Sequence, residues 1–168
     1  MSNVIGIPLI KGNNHEIIPA VLDKTVLEAS TFEGTAGFHS TADAGTIEPV
    51  IVHGSNSLAG TFAGFMVDIN LKAHTVSILK KALLVAIPMK KGDSWNIGEQ
   101  VQINKSTGLV DKAGTLFLDA RIKGALIMGV NGKTGVEMPC VLIDLISTKT
   151  SATADPADAP TKATRGIK

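Results

Sequence analysis

The residues 129–135, Gly-Val-Asn-Gly-Lys-Thr-Gly, hold the Gly-Lys-Thr that ends a phosphate-binding loop. Such a loop also needs a glycine five positions before Gly132, so that consecutive backbone N–H groups can turn toward phosphate, and a helix must follow. Position 127 is Ile, and Gly135, Val136, Pro139 and Val141 come next. The stretch therefore reads as a hairpin turn on Asn131-Gly132, where both central positions take positive φ. His15, His39, His53 and His74 have no second ligand type at metal spacing and read as surface or turn residues. Gly34-Thr35-Ala36-Gly37 lacks the third glycine of a dinucleotide fingerprint. Ser55 and Ser57 lack the order of a nucleophile elbow. Cys140 follows Pro139 in an extended apolar run and reads as a small buried hydrophobe. Asp68, Asp111, Asp119 and Asp144 show no paired spacing for acid–base work. No catalytic residue, cofactor-binding residue or metal ligand is nominated, and the expectation is a protein that is not an enzyme and carries no cofactor.

Composition narrows the class. A chain of 168 residues suits one domain with its own core. Lys+Arg number 16 against 15 for Asp+Glu, a net charge of +1, so no strong field attracts nucleic acid or anionic lipid. Hydrophobic residues make up 44% but aromatics only 4%, with no Tyr and one Trp. The core must then be built from Val, Ile, Leu and Ala, and base-stacking platforms are lacking. One cysteine excludes an internal disulfide. The first residues lack the basic and apolar regions of a signal peptide, and no run approaches the roughly 18 apolar residues of a membrane helix. A soluble protein of a reducing compartment is expected, with no nucleic acid, membrane or small-molecule substrate as partner.

The pattern along the chain is that of strands. Residues 82–104 open with an apolar run closed by Pro88, cross a polar turn at Lys90, Lys91, Gly92 and Asp93, and resume as alternating Val101-Gln102-Ile103-Asn104. This reads as two strands, the run 83–87 central and buried, with 98–103 as the partner that sets its register. Further strands are expected over 48–53, 61–71, 75–78, 115–130 and 136–146. In the last, Val141, Ile143 and Leu145 share one face and Met138, Cys140 and Leu142 the other. Residues 19–30 are ambiguous between a short helix and a strand. The fold class is mainly β: a small antiparallel β-barrel or β-sandwich with an extended N-terminal arm, at most one short helix, and a flexible C-terminal tail. The arm is assigned to 1–18 and the core domain to 19–146, with a flexible loop at 31–45. The tail, 147–168, is poor in large apolar residues, so its deletion is expected to leave melting unchanged.

Two groups could form interfaces. Ile5, Ile7, Leu9 and Ile10 lie in the extended arm, either as an edge strand or as a strand added to a neighbour. Lys80, Lys81, Lys90 and Lys91 flank the apolar run and read either as guards of sheet edges or as a small basic patch for an acidic protein surface.

The segment 46–145 resembles the capsid cement, or decoration, proteins of tailed bacteriophages. The resemblance rests on Gly60-Thr61-Phe62-Ala63-Gly64-Phe65-Met66-Val67, the run 82–89, Gly98-Glu99-Gln100-Val101, the stretch 125–129, and Val141-Leu142-Ile143-Asp144-Leu145. It implies a virion structural protein without catalytic residues, made in the host cytoplasm. It further implies a homotrimer on the outer capsid surface that staples neighbouring major capsid protein subunits. Two other readings remain: another virion module, such as a tail or baseplate β domain, and a β-barrel that binds a small molecule or carbohydrate in a groove around residues 31–45.

Overall fold

The computed structural model describes residues 15–26, 33–42, 47–130 and 137–155. Within them run eight strands: β1 (Glu16–Leu22), β2 (Ala36–Ser40), β3 (Val50–His53), β4 (Ala59–Asn70), β5 (Thr75–Pro88), β6 (Gln100–Ile103), β7 (Leu116–Val130) and β8 (Glu137–Ser151). The chain is mainly β, and no helix occurs among the described residues.

The strands are hydrogen-bonded in the order β1-β3-β2-β4-β5-β8-β7-β6, and β1 also pairs with β5. The first five strands thus close a ring, and β5 leaves it to become the first strand of a four-stranded antiparallel sheet. One pair in the ring, β1 with β3, is parallel, so the expected all-antiparallel pairing does not hold there.

Residues 19–22 take the strand alternative, because Ala20 and Leu22 alternate into the ring with Ile51, Ala63, Met66, Val76 and Ile78. Pro19 is tolerated in β1 because the ladder to β5 runs through alternate residues, with Leu22 N–H donating to the His74 carbonyl at 2.8 Å. β1 crosses the expected boundary between arm and core. Ile5, Ile7, Leu9 and Ile10 lie outside the described residues, as does the Asn131-Gly132 turn; the strands flanking that turn pair antiparallel with Val130 opposite Glu137. A strand, not a helix, follows the Gly-Lys-Thr segment.

Residues 31–45 were expected to form a flexible loop, but they contain β2. Its Ala36 and Phe38 are fully buried in the larger core. The glycine and threonine content that suggests a loop serves close packing: a Cβ on Gly37 would stand 2.8 Å from Met66 Cγ and 2.9 Å from Ile51 Cγ2.

β4 and β5 each serve two cores. In β4, Phe62, Phe65 and Val67 face the larger core and Ala63 and Met66 the ring interior. Uninterrupted alternation cannot put 62 and 65 on one face; a bulge does, with Phe38 opposite Phe62 but Gly37 opposite Gly64. Gly64 has φ 145°, and a Cβ there would lie 2.4 Å from the Leu79 carbonyl oxygen.

β5 is one strand where two were expected. Its register slips twice, near Lys80 against β1 and between Ala82 and Val85 against β8. These irregularities break the alternation that would have marked it as continuous. The segment 98–103 is not its partner; β6 pairs with β7, and β8 lies beside β5. The expected faces of β8 are observed, with Val141, Ile143 and Leu145 in the larger core and Cys140 packed with Ala86, Met138 and Leu142 behind it.

β8 also outruns the expected end of the core. Leu118 pairs with Thr150 and Phe117 with Ser151 after a register shift past Leu145. Asp155 then receives an Arg121 contact at 3.1 Å and donates its N–H to Gln100 Oε1 at 2.7 Å. A chain ending at Ile146 is therefore expected to melt several degrees below one ending at Asp155 in a thermal scan, contrary to the expectation for a tail without contacts. Gly64→Ala is expected to cost about 2–4 kcal/mol, lowering the melting temperature by roughly 5–15 °C.

Candidate interaction surface

The four lysines nominated from sequence do not form one patch. Lys80 and Lys81 lie within β5, and Lys90 and Lys91 follow its end. The seven steps from Lys81 to Pro88 span about 20 Å at the usual strand rise. Lys81 stands opposite Glu16 in β1, and Lys90 Nζ lies 3.9 Å from Asp111 Oδ1. Lys91 is exposed.

Asp111, read from sequence as one of several scattered acids, is 3% exposed. Burial by itself pushes its carboxyl upward. The Ala113 N–H at 2.8 Å, the Asn104 amide at 2.9 Å and the Lys90 ammonium outweigh it and hold the group below the usual carboxylate range.

The turn after β5 is tied down at several points. Lys112 donates its N–H to Asp93 Oδ2 at 2.8 Å and its ammonium to Glu99 Oε2 at 2.6 Å, and sits 4.5 Å above the buried Trp95 ring. Burial raises the Glu99 carboxyl, but Lys112 and the Asn96 amides bring it below its ordinary value. A pocket of about 190 Å³ here is lined by Glu99, Gln100, Gln102, Lys112, Phe117 and Ala154. Glu99, Lys112 and Gln100 already satisfy one another or nearby backbone groups, which leaves little for a ligand to bind.

Of the histidines, His53 is not at the surface: it is 6% exposed, and its Nδ1 lies 2.7 Å from Ser55 Oγ. It ends β3, beside Gly54, whose hydrogen faces the Lys105 carbonyl so closely that a Cβ would stand 2.0 Å from that oxygen. Sequence gave no sign of this, because the covering turn at 104–108 comes from a distant part of the chain. Burial lowers the imidazole below its ordinary 6.5, and the Thr107 backbone works weakly the other way. Among the described residues no three His, Cys, Asp or Glu side chains converge as metal ligands.

What sequence reasoning missed is apolar. Leu83 is 55% exposed and Ile146 is 52% exposed. With Ala82 paired to Leu145 and both of those facing the core, Leu83 and Ile146 point outward from adjacent strands. Met138 and Leu142 lie on the same face of β8 as Ile146, half-buried against Ala86 and Cys140. Asp144, between Leu142 and Ile146 on that face of β8, makes an ion pair of 3.5 Å with Lys123. The slip between Ala82 and Val85 hid Leu83 from any reading by alternation. This arrangement can bury area against a partner; it brings no nucleophile, base and acid together.

Compared with known proteins, the chain matches no family model, no curated protein and no solved structure. The fold places it in the mainly β class of packed sheets.

The histidine gives a pH test with a defined sign. The folded state favours neutral His53, so its contribution is complete above 6.5 and falls as pH drops below that value toward the depressed folded pKa. His53→Gln should therefore lose less thermal stability than the unmodified chain when melting is followed from pH 7.5 down to 5.

Proposed function

We propose that this chain is a capsid cement protein of a tailed bacteriophage. It binds the outer surface of the head as a homotrimer and staples neighbouring major capsid protein subunits. The observation that carries this reading is the pair of exposed apolar side chains on adjacent strands, Leu83 and Ile146, on the same side as the half-buried Met138 and Leu142. Exposed apolar side chains beside an ion pair suit burial against another protein. The resemblance of residues 46–145 to cement proteins supplies the kind of partner. Holding a seam closed requires buried area and a module that does not deform, and many copies on one shell add avidity without new contacts. The reading includes no catalytic step and no cofactor.

A ligand-binding barrel is less well supported. The groove it needs around 31–45 is occupied by β2, whose Phe38 is fully buried.

The test is co-sedimentation of the purified protein with empty phage heads that lack it, together with light scattering of the free protein. Saturable binding at micromolar concentration and a mass of three chains are expected. A monomer that leaves every shell bare would sink the proposal. Leu83→Glu with Ile146→Glu should weaken shell binding by at least tenfold, or about 1.4 kcal/mol, while leaving the melting temperature within a few degrees.

A further inference from the structure

His53 sits where the ring is fastened to the second sheet. The turn 104–108 follows β6, the last strand of that sheet, and lies against three strands of the ring. It meets β2 through the Gly108 carbonyl, which accepts the Ala36 N–H at 2.9 Å. It meets β4 through Lys105, whose ammonium donates to the Ala59 carbonyl at 3.0 Å and stands 5.5 Å from the centre of the Phe38 ring. It meets the end of β3 at Gly54, where only the missing side chain lets the Lys105 carbonyl come so near. The His53 ring is buried beside this seat, close to the Thr107 backbone. Its protonation state is set by its neighbours. Ser55 N–H donates to Nδ1 at 3.2 Å, so Nδ1 carries a lone pair and the proton of the neutral ring is on Nε2. Nε2 is buried and has no hydrogen-bond partner among the described residues. A second proton would set an Nδ1–H against the Ser55 N–H and leave a cation with no acceptor at Nε2.

We propose that His53 is an acid-released latch: protonation of its ring lifts the turn 104–108 from β2, β3 and β4 and loosens the fastening between ring and second sheet. The imidazolium reaches water only if something covering it moves. On one side His53 belongs to the β2 ladder, opposite Gly37, and cannot shift without breaking the sheet. On the other lies a turn held to the ring by the Gly108 and Lys105 hydrogen bonds, and this is the part that gives way. Among the described residues no carboxylate offsets the new charge. The turn brings Lys105, itself a cation directed at Ala59. β2 brings His39, opposite Ile51, and β4 brings Asp68 near its far end. β1 is followed by Asp23, whose carboxylate accepts the Thr25 N–H at 2.8 Å and the Thr25 hydroxyl at 2.6 Å. Residues 54–58 carry no titratable side chain. The latch does not depend on the capsid reading, since it concerns only how ring and second sheet are held together.

The experiment is hydrogen exchange of the full chain, read amide by amide in NMR spectra at pH 7.5 and pH 5.5 and expressed as protection factors, which removes the intrinsic pH dependence of exchange. The reporters are the Ala36 N–H and the Gly108 N–H, the latter donating to the Asn104 carbonyl at 2.8 Å. An open form in which the imidazole has its ordinary pKa of 6.5 is favoured about tenfold more at pH 5.5 than at pH 7.5, provided the closed form stays neutral. Protection of both reporters should therefore fall about tenfold, and low concentrations of urea should leave it unchanged, the mark of a local opening. His53→Gln should abolish the pH dependence. Equal protection at the two pH values overturns the proposal, as does the same fall in a folded His53→Gln chain. A fall that follows urea as steeply as the amides of β8 do means that only global unfolding exposes the ring, and overturns it too. The ring signals of His53 in the unmodified chain decide the matter if the variant does not fold. Their midpoint should lie below 6.5, and a midpoint at or above that value, or a titration that leaves the reporters protected, sinks the latch.

Discussion

The structure depends on one constraint, that β4 and β5 must present a buried face to each of two cores. A regular strand can do this only if its residues alternate without error between two fixed interiors. The ring interior and the larger core are not in phase along either strand. The chain resolves the mismatch with extra residues: one at Gly64 in β4, one near Lys80 and one between Ala82 and Val85 in β5. Only glycine suits the first position, where φ is 145° and the Leu79 carbonyl lies where a side chain would begin. Lys80 and Leu83 sit at the other slips, where a side chain can leave the packed faces. The most exposed apolar residue of β5 is thus a by-product of how the strand is shared.

The mainly β class and most strand positions were legible in the sequence, because alternation and glycine punctuation survive wherever a strand faces one core. β8 is the clearest case: Val141, Ile143 and Leu145 on one face and Cys140 and Leu142 on the other. Legibility failed where a local pattern was broken for a non-local reason. β5 looked like two strands because its slips fall at the lysines and leucines that interrupt the period. β2 looked like a loop because Gly37 must be small to lie against Met66 and Ile51, residues that follow it in sequence. The end of β8 looked like tail because threonine and serine are weak apolar signals, although they pair with β7.

Of the candidate surface, the lysines were visible and their arrangement was not. Spacing in sequence put Lys81 and Lys90 on either side of one run, but nothing local says that the run belongs to one continuous strand that holds them apart. Asp111 and Trp95 explain the stiffness of the turn that follows. A buried carboxylate with three partners and an indole under an ammonium leave that turn little freedom. Partner strands set pairings, and pairings decide which apolar residues face outward, so neither could be read from periodicity.

Ring closure has a consequence for the order in which the molecule is made. β7 and β8 are neighbours in sequence and can pair as soon as both have been synthesised. β1 cannot complete its place so early: Val21 pairs with Val50, and Glu16 with Lys81, far along the chain. A ribosome delivers β1 well before its last partner, so the strand waits with an unpaired edge while residues 23–81 emerge. The contacts that close the ring have the greatest sequence separation of those β1 makes, and such contacts are the slow ones to form. β1 is therefore a strand whose pairing is finished well after it is made.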